Sequence, residues 1–215
     1  MKHRSEARSA IRARFTASIG LGAMIALSAS GQALAATTWT DPVGDALFHA
    51  PPYADLVAAS ADENAGTFEF TMTVAGSIPE TPRLTPPGVV ELRWVATLDL
   101  DPTTNPVGWP LAPGAPQSAQ VGAPEGFIAV AWDGSAFSAT WYDRRPLLSG
   151  GEVVAIPVPF EINGDTVHVW LDGALIDDPA SFGVAFVTVA LPVLPGNDGF
   201  RRFFDYFQPL YNPWP

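Results

Sequence analysis

The chain contains no cysteine. Disulfide bridges therefore contribute nothing to its stability, and no lipid can be carried on a cysteine behind a leader. Lysine is nearly absent as well, since Lys2 is the only one. Histidine is scarce: beyond residue 35 there are only His49 and His168. No G-x-S-x-G stretch is present, and no H-E-x-x-H, so the sequence signatures of a serine hydrolase and of a zinc protease are both missing. The longest apolar run of the N-terminal region, residues 19–27, is too short to cross a bilayer comfortably.

What the first 35 residues do contain is ordered like an export signal. Lys2, Arg4, Arg8, Arg12 and Arg14 make a basic start, the apolar run follows, and Ala33-Leu34-Ala35 places small residues where a signal peptidase needs them. This predicts a secretory signal peptide over residues 1–35, cleaved after Ala35, and a secreted product, extracellular or periplasmic. A membrane anchor is the competing reading, and the short apolar run speaks against it. The remainder, 36–215, reads as a single domain with a Pro-rich tail at 208–215. The chain has 11 basic and 22 acidic residues; taking away the leader's five basic and one acidic residue leaves six arginines against 21 acids, a net charge of −15. Such a domain repels nucleic acid and anionic membrane surfaces, and neither is expected as a partner. It is a plausible host for a divalent cation.

The apolar residues recur with period two. Phe68, Phe70, Met72 and Val74 alternate with Thr67, Glu69, Thr71 and Thr73. Val90, Leu92, Trp94, Ala96 and Leu98 alternate with polar partners, Val95 being the exception. Alternation of this kind marks antiparallel strands with one buried and one wet face. Asp133-Gly134 and Asn163-Gly164 join further apolar segments as hairpin turns, because both dipeptides tolerate positive φ. Other strands are expected at 54–60, 153–162, 183–190 and 200–207, with one turn of helix at 176–181. Twenty-two prolines argue against long helices. The expected fold is an all-β antiparallel sandwich, of jelly-roll or immunoglobulin-like type, with about 8–10 strands. The long Pro-, Gly- and Ala-rich stretches 75–88 and 100–126 are loops of a length that often carries function.

The order of short motifs resembles a known group. Asp41-Pro42-Val43-Gly44-Asp45 opens the domain and Asp55 precedes an early strand. Asp99-Leu100-Asp101-Pro102-Thr103-Thr104-Asn105 closes a central one, and Val154-Ala155-Ile156-Pro157 and a strand ending near Asp172 follow. In this order the chain resembles the DOMON-like superfamily of extracellular sandwiches, which includes the family-nine carbohydrate-binding modules. The likeness spans nearly all of 39–207. It implies a sandwich fold, in a group whose members bind sugars or haem or have no assigned role, and so narrows the fold more than the function. The spacing of the Asp99 turn departs from the group's usual pattern, with Asn105 four residues after Asp101. A haem site would need axial ligands, and Met72 and His168 alternate to opposite sides.

Two constellations can carry chemistry. Asp99, Asp101, Thr103 and Asn105 present oxygen ligands at alternate positions, as a calcium loop does; the same residues can equally cap backbone amides in a solvated turn. Asp41, Asp45 and Asp55 form a second acidic group, where Gly44 lets the turn tighten. The expected metal ligands are thus Asp41, Asp45, Asp55, Asp99, Asp101 and Asn105, with calcium (Ca2+) as the cofactor, in a structural role. The second constellation is aromatic: Trp109, Trp141 and Trp170, with His168 on the polar face beside Trp170, are candidates to stack on a sugar ring. The plain alternative is that these tryptophans are core. The leading expectation is a secreted non-catalytic binding module for a carbohydrate or a cell-surface ligand. A structural or matrix protein without small ligand is the alternative, and a glycoside-active enzyme built on two facing carboxylates the third.

Overall fold

The predicted period-two segments become strands. The structure, a computed structural model, describes residues 36–46, 50–84, 89–101 and 124–192, together with the backbone of strands at 202–206 and 212–214. Among the described residues twelve strands run in chain order: β1 (Thr37–Thr40), β2 (Leu56–Asn64), β3 (Thr67–Val74), β4 (Val89–Asp99), β5 (Gly126–Trp132), β6 (Phe137–Asp143), β7 (Val154–Pro157), β8 (Phe160–Asn163), β9 (Thr166–Asp172), β10 (Phe182–Pro192), β11 (Arg202–Tyr206) and β12 (Asn212–Trp214). All belong to the contact unit Gln32–Pro215; the other unit, Met1–Gly31, lies outside the described residues.

Every pairing is antiparallel. A five-stranded sheet has the order β1-β2-β3-β9-β8, and a seven-stranded sheet the order β11-β10-β4-β5-β6-β7, with β12 also paired to β10. The expectation of an all-β antiparallel sandwich holds. The strands outnumber the expected 8–10 partly because 153–162 is two strands, β7 and β8, which lie in different sheets. Pro157 and Pro159 flank the crossing at Val158; proline cannot donate to a ladder, so the pairing breaks there. The helical turn expected at 176–181 falls earlier, as a 3-10 turn at Gly173–Ile176 capped by the Asp172 side chain, which accepts from the Ala174 amide.

Residues from the two inner faces interdigitate. Phe68 and Phe70 of β3 meet Phe182 of β10 at ring separations of 5.5 and 6.1 Å, and Trp39 of β1 meets Phe186 of β10 at 5.6 Å. Trp94 and Trp141 are fully buried. Burial of each such side chain contributes about 1.5–3 kcal/mol before entropy is counted. Trp141 needs Gly126 on the neighbouring strand: any Cβ at 126 would run into its indole ring. The Thr188 hydroxyl donates to the Ala54 carbonyl at 2.6 Å and ties β10 to the turn that leads into β2.

The larger sheet departs from the one-wet-face pattern. Val95, Phe127, Ala129, Val187 and Val189 form a second buried cluster apart from the main core. Every residue of β5 is buried. This is why β5 and β10 read as nearly continuous apolar runs. The five-stranded sheet keeps a wet face, and that face carries the candidate site.

Candidate ligand-binding site

The hairpin of β2 and β3 sets the site's geometry. Its turn is Ala65-Gly66, both at positive φ (52° and 80°), flanked by the Asn64–Thr67 pair. From that register Asp62 stands opposite Glu69, and Glu69 stands opposite Trp170 on β9. Phe68, Phe70 and Met72 point inward, so Thr67, Glu69 and Thr71 point outward. Likewise Val167, Val169 and Leu171 of β9 are core, which turns His168 and Trp170 outward. Asp62, Asn64, Thr67, Glu69 and Trp170 line an open hollow of about 260 Å³.

Beside it, on the same face of the sheet, His168 is held in place. Its Nδ1 lies 2.8 Å from Glu69 Oε1 and 3.4 Å from Thr71 Oγ1. A carboxylate only accepts, so this pairing puts a proton on Nδ1. The His168 ring lies nearly parallel to the Trp170 ring, 12° between planes and 6.1 Å between centroids. Asp62 Oδ1 accepts the Glu63 amide at 2.9 Å. The arrangement presents one half-buried indole beside two carboxylates, an amide and a hydroxyl. Met72 is buried in the core on the opposite face of the sheet from His168, so the two cannot ligate one haem.

The other sequence candidates fall in different places. Trp141 is a correction: it is fully buried, packed over Gly126, and is core instead of part of an exposed platform. Its strand face points between the sheets because it pairs with Ile128, itself a core residue. Trp109 and Asn105 lie outside the described residues, as does His49.

Of the acids, Asp41 is half-buried at the end of β1, Asp55 is buried, and Asp45 is exposed. Asp55 Oδ2 accepts the Gly44 amide at 2.8 Å. Asp41 Oδ2 and Asp55 Oδ1 are buried with no hydrogen-bond partner. Burial, then the charges of Asp45 and Asp55, push the Asp41 carboxyl up to about 6. Asp99 is buried and Asp101 half-buried, and the fold sets Glu125 beside them. Glu125 Oε2 accepts the amides of Leu100 and Asp101 at 2.7 and 3.3 Å. Burial, then the charge and hydrogen bond of Glu125, then the charge of Asp101, push Asp99 up to about 6, and its Oδ1 has no hydrogen-bond partner. Orphaned carboxylate oxygens suit a hard cation. Among the described residues, however, no group of three or more His, Cys, Asp or Glu side chains is arranged to hold a metal ion. An ion at the Asp41–Asp55 turn would need backbone carbonyls and water to complete its shell.

Sequence reading missed Asp62, Asn64, Thr67, Glu69 and Glu125 as site residues. The first four become neighbours only through the Ala65-Gly66 turn, and alanine is a poor turn signal. Glu125 meets Asp99 across the long connection between β4 and β5, a juxtaposition no local pattern announces.

Fold and site together define a class: an antiparallel two-sheet sandwich with an acidic, tryptophan-bearing hollow on the wet face of its smaller sheet. No family model matches the chain, and neither a curated protein nor a solved structure matches it.

Proposed function

We propose that the protein is an exported, non-catalytic binding module that takes a carbohydrate on the wet face of the five-stranded sheet. The observation that carries this reading is the Trp170 ring, set half-buried in a hollow whose other walls are Asp62, Asn64, Thr67 and Glu69. A flat indole packs against the C–H face of a pyranose, while carboxylate, amide and hydroxyl groups take its hydroxyls. The mix of one apolar plane and a few polar groups is that of small-ligand sites in general. The resemblance to DOMON-like sandwiches points the same way.

The test is titration calorimetry of the purified protein with a panel of soluble oligosaccharides. At least one saccharide is expected to bind, and Trp170→Ala is expected to weaken it by about 2 kcal/mol, roughly thirtyfold in Kd. A blank panel, or a Trp170→Ala protein that binds as the parent does, overturns the reading.

A second reading concerns calcium. The orphaned buried oxygens of Asp41 and Asp55 favour a structural ion at the turn before β2. Such an ion would relieve the repulsion among Asp41, Asp45 and Asp55 and stiffen the entry to the sheet that bears the hollow.

A further inference from the structure

We infer that the ligand of this face is a cationic amino sugar, its ammonium group held between Asp62 and Glu69 and its ring over Trp170. The inference rests on the carbohydrate reading and narrows it to one class of saccharide.

The first support is a charge conflict. Asp62 and Glu69 face each other directly across β2 and β3. Like charges in that position destabilise a strand pair. The pair lies in the hollow itself, where a bound cation would turn repulsion into attraction. Neutral hydroxyls would hydrogen-bond the carboxylates without cancelling their charge.

The second support is that the strands of this sheet supply no strong cation of their own. No Lys or Arg occurs in β1, β2, β3, β8 or β9. Arg93 pairs with Glu91 at 2.7 Å and Arg145 with Asp143 and Asp177 at 2.8 and 2.6 Å, all in the other sheet or its loops. On the wet face His168 approaches an acid, and it engages Glu69, not Asp62. Glu161 opposite His168, and Asp172 opposite Thr67, add further acids to the same face.

The third support is the ring. An indole face attracts a cation as well as an apolar sugar face. A 2-amino sugar offers both in one residue, and Asn64 and Thr67 remain to take its hydroxyls. The acidic domain would also draw a cationic oligomer toward the hollow.

The experiment compares three β-1,4-linked tetrasaccharides, of glucosamine, N-acetylglucosamine and glucose, by calorimetry at mildly acidic pH, where the sugar amine is protonated. The glucosamine tetramer is expected to bind at least about tenfold more tightly than the other two. That margin should shrink with added salt. It should also shrink in Asp62→Asn and Glu69→Gln, with each variant's circular dichroism and melting checked against the parent. Trp170→Ala should weaken binding of the glucosamine tetramer. If the neutral tetramers bind as tightly as the glucosamine tetramer, the ammonium inference falls and the carbohydrate reading stands. The ammonium inference falls alone, too, if folded Asp62→Asn and Glu69→Gln both bind the glucosamine tetramer like the parent. If none of the three binds, and no other saccharide does, both fall.

Discussion

Asp99 shows how a single side chain reports its surroundings. Its carboxyl is raised from 3.8 to about 6 by burial first and by Glu125 second. The folded protein therefore holds this proton more tightly than the unfolded chain does. The stabilising contribution is complete below about 4 and is lost as pH rises through about 6; at pH 7 the ionised group is a net cost. Asp99→Asn is expected to raise stability at pH 7 by on the order of 2 kcal/mol. The advantage should fade as pH drops from 6 to 4. Chemical denaturation at pH 7 and pH 4 checks it, and an equal effect at both values would sink the explanation. Two tryptophans carry the lesson about legibility at this scale. Trp141 and Trp170 both sit on period-two strands, yet one is core and one lines the hollow. The alternation around Trp170 is readable, because His168 and Thr166 share its face and Val167, Val169 and Leu171 the other. Trp141 shares its face with Phe137 and Ala139 while Ser138 and Thr140 take the other, so the same alternation marks it as core; that it fills the space over Gly126 is decided by the pairing with β5.

At the scale of elements, turns decide which residues meet. Asn163-Gly164 reads as a hairpin turn; the structure shifts it by one, since Asn163 pairs with Thr166 and only Gly164, at φ 65°, is left-handed. Around Asp133-Gly134 the loop widens, with Asp133 Oδ1 accepting the amides of Ser135 and Ala136 at 2.7 and 2.8 Å and holding its own carboxyl below the usual range. The turn that builds the candidate site has no such signal. Ala65 sits at φ 52°, where an L-residue with a Cβ is strained by about 1 kcal/mol. Asparagine tolerates that conformation, and Asn-Gly is the preferred two-residue hairpin turn. Ala65→Asn is thus expected to stabilise the protein by about 1 kcal/mol, a rise in Tm of about 2–4 °C for a domain of this size. A lowered Tm would mean that the β2–β3 turn is not built as described. Prolines are better guides: the break between β7 and β8 falls between Pro157 and Pro159, residues that cannot donate to a ladder.

Over the whole molecule, the absence of cysteine leaves stability to packing without disulfides. If calcium occupies the Asp41–Asp55 turn, saturating calcium is expected to raise Tm relative to chelator by about 5 °C or more, because an ion at a hundred times its Kd adds about 2.7 kcal/mol. Superimposable melting curves would remove calcium from the account. A calcium-dependent rise together with a blank saccharide panel would favour a structural protein over a binding module. The candidate site is half legible in the sequence: Trp170 and His168 are in view, the carboxylates facing them are not. From the sequence alone come the all-β class, the inward and outward faces of β3 and β9, the inward face of β4 from Leu92 to Leu98, and the strong negative charge; at the start of β4 the register shifts, so that Val89 is buried and Val90, expected inward, is exposed. These follow from neighbours one or two positions apart, where backbone geometry makes side chains alternate. Tertiary structure alone decided that β7 and β8 part to different sheets, that the middle of the larger sheet, β5 with parts of β4 and β10, is buried on both faces, and that Asp62 confronts Glu69 beside Trp170. Those outcomes depend on which strands pair and in what register, and pairing is settled by contacts between residues far apart in the chain.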